Sequence, residues 1–434
     1  RPKGDGAGFD AVIGNPPYVS AWSMTTHDRE VRSVIEALAE DPRVLGAHWD
    51  LYIPFLLRAF NVCRSMSFFS FILPNPFSRE KYAVEMRRFL LENSCITRLL
   101  SFGEANVFDE VSRQTLVLVV QKAVPDLTTA IISVDSGEVL AEGKHVSPLR
   151  YTVQQSLFYD LPGSQLRHEA SSAHFELLQR MDKVSIRLGN ICYVNYGAQV
   201  SSKRPGAYVK ADVVSEVPFG NSKRFFEGRD LDRYFVGWGG LHLDYRPDTM
   251  YGPRSEELFK SPKLVFRKIS GPSDTLLVGF DDQGHYCDDG LVLAVHYASV
   301  KGGKLREEFE GFDLTRDPYA LEYCLALSAS KLMSFYYGFR FATGSLQGSY
   351  SHVYPQHVRN LPIYRVAFNE SHRGDWSFKT EAQLSGTWKE VLARVSEEVS
   401  HNRSELVHDL LAYLARQMLS MHKEVRSHTA NFWT

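Results

Sequence analysis

The sequence predicts an α/β fold followed by a mixed α+β body and a helical end. Three observations carry that expectation. Strand-like apolar runs alternate with helix-spaced segments from Phe9 to Val120, a long middle stretch mixes tyrosines, cations and glycine turns, and apolar residues after Trp388 repeat at helical spacing. The boundaries this implies are 1–125 for the α/β portion, 126–182 for a connector, 183–365 for the second body and 366–434 for the tail.

The first strand is the most informative. In Phe9-Asp10-Ala11-Val12-Ile13-Gly14-Asn15-Pro16-Pro17-Tyr18, the apolar run suits an interior strand of a parallel sheet with both faces covered. Gly14 and the two prolines end it. Each proline withdraws an N–H and stiffens the turn, which leaves acceptors at the carboxyl end of a strand, where open α/β sheets place their ligands.

Further elements follow in order. Val31, Val34, Ile35 and Leu38 predict a helix over 26–39, and Leu51, Phe55, Leu56 and Phe60 another over 50–63. Phe68-Phe69-Ser70-Phe71-Ile72-Leu73-Pro74-Asn75 reads as a buried strand, 80–91 as a helix, and 96–102 and 115–120 as strands of the same parallel sheet. In the connector, 127–134 suits a strand and 168–181 a helix, among Pro125, Pro148 and Pro162. Gly237-Trp238-Gly239-Gly240 before the alternating Leu241-His242-Leu243-Asp244-Tyr245 reads as a hairpin turn. Trp388, Val391, Leu392 and Val395, then Leu406, Leu410, Leu411, Leu414, Met418 and Met421, predict two antiparallel helices packed on the second body.

Composition narrows the class. The 434 residues are 44% hydrophobic and 23% charged, ordinary values for a globular protein, and no apolar run approaches the length needed to span a bilayer. Cys63, Cys95, Cys192, Cys287 and Cys324 are scattered, which favours a reducing, cytoplasmic compartment. A net charge of −2 does not exclude nucleic acid, because the field in a cleft depends on local charge rather than on the sum.

The Asn15-Pro16-Pro17-Tyr18 run resembles the motif of amino-group methyltransferases, in particular the gamma-ordered N6-adenine DNA enzymes. Asp50-Leu51-Tyr52, Phe71-Ile72-Leu73-Pro74-Asn75, Asn106-Val107-Phe108 and Thr115-Leu116-Val117-Leu118-Val119 resemble the later blocks of that family, in its order. The resemblance implies the C-terminal half of a Rossmann-like class I methyltransferase domain. It also implies S-adenosylmethionine as cofactor, with Asn15 touching only the edge of its site. Asn15 and Pro16 would accept from the adenine amino group, Pro17 would stiffen the turn, and Tyr18 and Phe108 would hold an extruded base. Arg1-Pro2-Lys3-Gly4-Asp5-Gly6 reads as a solvated lead-in. A cofactor-binding N-terminal half or companion subunit is therefore expected, and this chain alone is expected to be inactive.

From Lys183 to Ile363 the sequence resembles the specificity domain of TaqI-like methyltransferases and of single-chain restriction–modification enzymes. It does so at Leu188-Gly189-Asn190-Ile191, Tyr196-Gly197, Phe226-Glu227-Gly228-Arg229-Asp230-Leu231, Ser261-Pro262-Lys263-Leu264-Val265-Phe266-Arg267 and Leu361-Pro362-Ile363. The resemblance implies a target-recognition domain for double-stranded DNA in a prokaryotic restriction–modification or phage-defence system. Ser201, Ser202, Lys203, Arg204, Lys223, Arg224, Arg229 and Arg267 are the candidates for contacts with phosphate and base edges; singly each suits a solvated face, and the cluster carries the weight.

Other chemistry is poorly supplied. His285-Tyr286-Cys287-Asp288-Asp289 lacks the second ligand pair of a zinc site, so no metal is expected there. Glu256-Glu257-Leu258-Phe259-Lys260 reads as a charged helix turn rather than a nuclease centre, and Gly344-Ser345-Leu346-Gln347-Gly348-Ser349-Tyr350 lacks the lysine of a phosphate loop. Two alternatives stay open: a methyltransferase of RNA or protein amides, and a DNA-binding specificity module without catalysis.

Overall fold

Strand β1 (Phe9–Gly14) lies at one edge of a six-stranded sheet. In the computed structural model the described residues are 7–20, 29–39, 41–45, 49–102, 114–136, 149–201, 208–252, 254–270, 275–300, 315, 317–342, 351–368 and 387–430. They divide into two compact units, one formed by the described residues up to Gln179, the other by those from Arg180 onward.

The first unit is built on β1, β2 (Cys63–Pro74), β3 (Cys95–Ser101), β4 (Thr115–Gln121), β5 (Ile131–Ser136) and β6 (Leu149–Gln154), in the order β1-β2-β4-β3-β5-β6. Two expectations are corrected. β1 is an edge strand among the described residues, and Phe9 and Ile13 are 63% and 86% exposed, so its apolar run is not covered on both faces. The sheet is also mixed: β1 runs parallel to β2 and β3 to β5, but β4 inserts between β2 and β3 antiparallel to both. A strand buried between two neighbours needs the same apolar pattern whichever way it runs, so its direction is not written in its periodicity.

Helices α1 (Arg29–Leu38), α2 (Tyr52–Val62), α3 (Val84–Asn93), α4 (Gln155–Tyr159) and α5 (Ser172–Val184) complete this portion of the chain. On α2 the buried set is Tyr52, Ile53, Leu56, Leu57 and Ala59, and Phe55 points outward.

In the second unit a five-stranded sheet has the order β11 (Tyr234–Phe235), β14 (Val278–Asp281), β13 (Lys263–Arg267), β16 (Leu291–His296), β8 (Cys192–Tyr196). The middle residues of its central strands β13 and β16 are apolar because both faces are covered. Leu264, Phe266, Val292 and Ala294 enter one core with helices α8 (Leu321–Ser328) and α9 (Lys331–Arg340), while Val265, Leu293 and Val295 enter another with Phe225, Leu243 and Tyr286. The second core lies against a four-stranded sheet ordered β15 (Tyr286–Cys287), β10 (Ser222–Phe226), β12 (Leu241–Asp244), β9 (Val214–Ser215), and β7 (Ser185–Arg187) pairs with β17 (Pro362–Tyr364). Among the smaller helices are α6 (Lys210–Val213), α7 (Glu256–Lys260) and α10 (Pro355–Arg359).

The glycine-rich run at 237–240 is not the tip of a hairpin. It carries the chain from β11 in one sheet to β12 in the other, with Gly240 at a φ of 92° that favours glycine. Helices α11 (Trp388–Ser400) and α12 (Ser404–Ala430) end the described chain. The face of α12 buried along α8 is formed by His408, Ala412, Ala415 and Leu419, while Met421 is exposed. Small alanines let two helices approach closely, and a search for large apolar side chains passes over them. Among the described residues no helix is long and apolar enough to cross a membrane.

Candidate active site

The turn after β1 is shaped by close packing beneath it. A Cβ on Gly14 would lie 2.5 Å from Cε1 of Phe71, and Phe71 is itself buried, so glycine is required where β1 meets β2. Pro16 is buried, whereas Asn15 and Pro17 are exposed. Among the described residues, neither the Asn15 side chain nor the Pro16 carbonyl is engaged by a hydrogen bond, so both acceptors stand open at the carboxyl end of β1.

Tyr18 is half-buried, and burial raises its hydroxyl pKa. Its hydroxyl donates to the Ile72 carbonyl at 3.3 Å, and its ring meets that of Tyr52 edge-on at 6.3 Å and 87°. The main chain beyond it is clamped: the Leu51 N–H donates to the Val19 carbonyl at 2.7 Å, and Ser20 bridges to Asp50.

Because β1 and β2 are parallel, with Gly14 opposite Phe71, the turn after Pro74 leaves the same end of the sheet. There the Asn75 N–H donates to the Gln114 carbonyl at 2.9 Å, and the Asn75 amide to Oε1 of Gln114 at 3.1 Å. Arg87 underlies this turn. Fully buried, it donates to the carbonyls of Phe77 (2.6 Å), Glu80 (2.9 Å), Gly163 (2.8 Å) and Ser164 (3.2 Å), and burial lowers its pKa to about 10. Phe108 lies outside the described residues; the ends flanking it, Phe102 and Gln114, are at this same edge, where the Phe102 N–H donates to the Thr115 carbonyl.

Sequence reasoning missed Tyr82 and Arg87. Each sits among helix-like residues that read as ordinary packing, and only the fold reveals the partners.

In the second unit, Lys223 and Arg224 lie on β10, and Arg229 on the turn that follows. Arg224 is exposed, with its guanidinium 4.8 Å above the Trp238 ring. Arg229 pairs with Glu227 at 2.9 Å and is largely exposed. Arg267 is used differently: it donates to the carbonyls of Gly228 (2.6 Å) and Leu231 (3.0 Å), and so fastens the turn that displays Arg229. Ser201 is exposed, with its carbonyl accepting from Gln199, while Ser202, Lys203 and Arg204 lie outside the described residues, as does 344–350.

Arg224, Trp238, Asp282, His285 and Lys423 line a cavity of about 340 Å³. His285 is committed to Asp281, donating through Nδ1–H to its carboxylate at 2.9 Å, and the Cys287 thiol is buried, which raises its pKa. The segment therefore has a core role.

Residues 3–108 match the model of the Eco57I restriction-modification methylase family, and residues 223–363 that of the TaqI-like C-terminal specificity domain. The chain joins a segment of that methylase to that specificity domain. A relative, the type II restriction enzyme and methyltransferase RM.Eco57I of Escherichia coli, is 27% identical over 114 residues. That match covers 26% of this chain and 11% of the relative. Among solved structures, the type IIG restriction endonuclease BpuSI is 13% identical with a TM-score of 0.37, over 96% of this chain and 55% of its own. The type IIL restriction-modification enzyme MmeI, solved in complex with DNA, is 10% identical with a TM-score of 0.43, over 92% and 54%. The chain thus spans little more than half the length of these structures. Within it the methylase segment holds β1 to β3 and the Asn15–Tyr18 turn, and the specificity segment runs from β10 to β17, so α11 and α12 fall outside both.

Proposed function

We propose that this chain is the base-holding and target-recognition part of a site-specific DNA adenine-N6 methyltransferase of a prokaryotic, cytoplasmic restriction–modification system. The observation that carries the proposal is the pair of open acceptors, Asn15 Oδ1 and the Pro16 carbonyl, beside a half-buried tyrosine ring at the carboxyl end of β1.

The chemistry asks for such a pair. The lone pair of an adenine amino group is delocalised into its ring, which makes the nitrogen a poor nucleophile. Two acceptors on its N–H bonds favour a more tetrahedral nitrogen as the new bond forms, and they act most strongly where charge develops. The base must first leave the duplex, and the face of Tyr18 would receive it, with Phe108 proposed opposite. Lys223, Arg224 and Arg229, together with the 201–204 segment, would meet the DNA, with Arg267 holding the turn from below.

S-adenosylmethionine, when bound, would supply the methyl group. Asn15 would touch the edge of its site. The edge of β1 that is unpaired among the described residues, with Phe9 and Ile13 exposed beside it, suits a further strand from the cofactor-binding half, in the same polypeptide or a companion subunit.

The test is methyl transfer from labelled cofactor by the complete protein to unmethylated DNA. Asn15→Ala is expected to lower kcat by about 10²- to 10³-fold, the usual loss for one stabilising group at a site of developing charge. Unchanged incorporation by Asn15→Ala would overturn the mechanism, and label in RNA or protein alone would overturn the substrate.

A further inference from the structure

Beneath the Tyr18 ring lies a row of polar groups that the proposed chemistry does not itself use. Tyr52 is fully buried, yet its hydroxyl lies 2.6 Å from that of Tyr82. The Tyr82 hydroxyl in turn meets the carboxylate of Asp50. The direction of donation follows from chemistry. An ionised carboxylate only accepts, so the Tyr82 proton points to Asp50 and the Tyr52 proton to the Tyr82 oxygen. Burial raises the pKa of both phenols, so both protons stay in place through the neutral range.

Each end of the row reaches the candidate site. At one end the Tyr52 ring supports Tyr18 edge-on. At the other, the main chain of Asp50 and Leu51 holds Ser20 and Val19, the residues directly after Tyr18. The Phe77 ring closes on Tyr52 at 6.0 Å, and Arg87 grips the carbonyls of Phe77 and Glu80 on either side of the turn leading to Tyr82.

We propose that Asp50, Tyr82 and Tyr52 are positioning residues that set the plane of the Tyr18 ring, and hence the slot into which an extruded base stacks. Plain packing would need only phenylalanine at 52 and 82. Two buried hydroxyls running to a carboxylate give the support one orientation, since any rotation of Tyr52 leaves a buried donor unpaired. The inference rests on the methyltransferase reading for its purpose, though not for its geometry.

The test separates the two. In the complete protein labelled with 3-fluorotyrosine, the Tyr18 fluorine resonance is assigned by its loss in Tyr18→Phe. Tyr82→Phe, which removes one oxygen, is expected to shift and broaden that resonance and to lower kcat for DNA methylation by about three- to tenfold, the size of one lost hydrogen bond. Asp50→Ala is expected to do the same, and Asp50→Asn, which keeps an acceptor, to restore the line; this pair decides the matter if Tyr82→Phe does not fold. A Tyr18 resonance unmoved in both Tyr82→Phe and Asp50→Ala overturns the positioning role. If instead Tyr18→Ala methylates as well as wild type, the functional reading fails while the resonance still decides the geometry.

Discussion

Replacing Asp281 with asparagine removes one charge from a fully buried ion pair in the second unit. Lys263 and Asp281 face each other across β13 and β14, with their charged atoms 2.6 Å apart and side chains 0% and 1% exposed. Asp281 also accepts from the main-chain N–H of Gln283 and of His285, each at 3.0 Å. Burial pushes its pKa up, but the bond from His285 and the charge and bond of Lys263 outweigh it and hold the carboxyl at about 2, against an ordinary 3.8. A depression of nearly two units corresponds to roughly 2–3 kcal/mol. The folded-state value is the lower one, so this stability is present above about pH 4 and is lost as the pH falls from about 4 to about 2. At pH 7, Asp281→Asn also leaves the Lys263 ammonium buried without a counter-charge, for a total cost of about 3–5 kcal/mol. Hydrogen exchange of the peptides covering β13, β14 and β16 reads that cost as faster opening. In wild type the same strands are expected to weaken between pH 4 and pH 2, and in the variant this dependence is expected to flatten. A variant within 1 kcal/mol of wild type at pH 7 would refute the reasoning.

Other outcomes follow from the arginines and from Gly14. Arg224→Ala and Arg229→Ala are expected to weaken DNA binding and to reduce its salt dependence by about one ion each, with thermal stability unchanged. Arg267→Ala is expected to lower stability as well, because two part-buried carbonyls lose their donor; gel shift at several salt concentrations beside thermal melting tells the two classes apart. Gly14→Ala places a methyl against the Phe71 ring and is expected to cost about 1–3 kcal/mol, read as a lower urea midpoint, with Phe71→Leu in the same chain recovering part of it.

The sequence made some of this legible for identifiable reasons. Asn15-Pro16-Pro17-Tyr18 stands out because prolines and glycine constrain the backbone wherever they occur, and the apolar run at 68–75 declares the buried part of β2. Strand order was not legible. The edge position of β1 and the antiparallel insertion of β4 depend on partners distant in the chain, and periodicity reports burial along one element only. The same limit hid Tyr82 and Arg87, whose roles come from groups on other segments. It also hid the crossing at 237–240, where a glycine run serves a sheet-to-sheet passage as readily as a hairpin. Of the cations singled out, Arg267 shows that a basic side chain can serve the backbone of a neighbouring turn rather than an outside ligand.

That arrangement bears on how such a protein changes over time. Arg267 grips the turn at 228–231 by main-chain carbonyls, which every amino acid provides equally. Substitutions at Arg229, Asp230 or Leu231 can therefore alter what the turn presents without loosening Arg267's hold on its backbone. The scaffold separates the inheritance of loop shape from the inheritance of loop chemistry, so, on the function proposed above, target preference would change one side chain at a time on a common backbone.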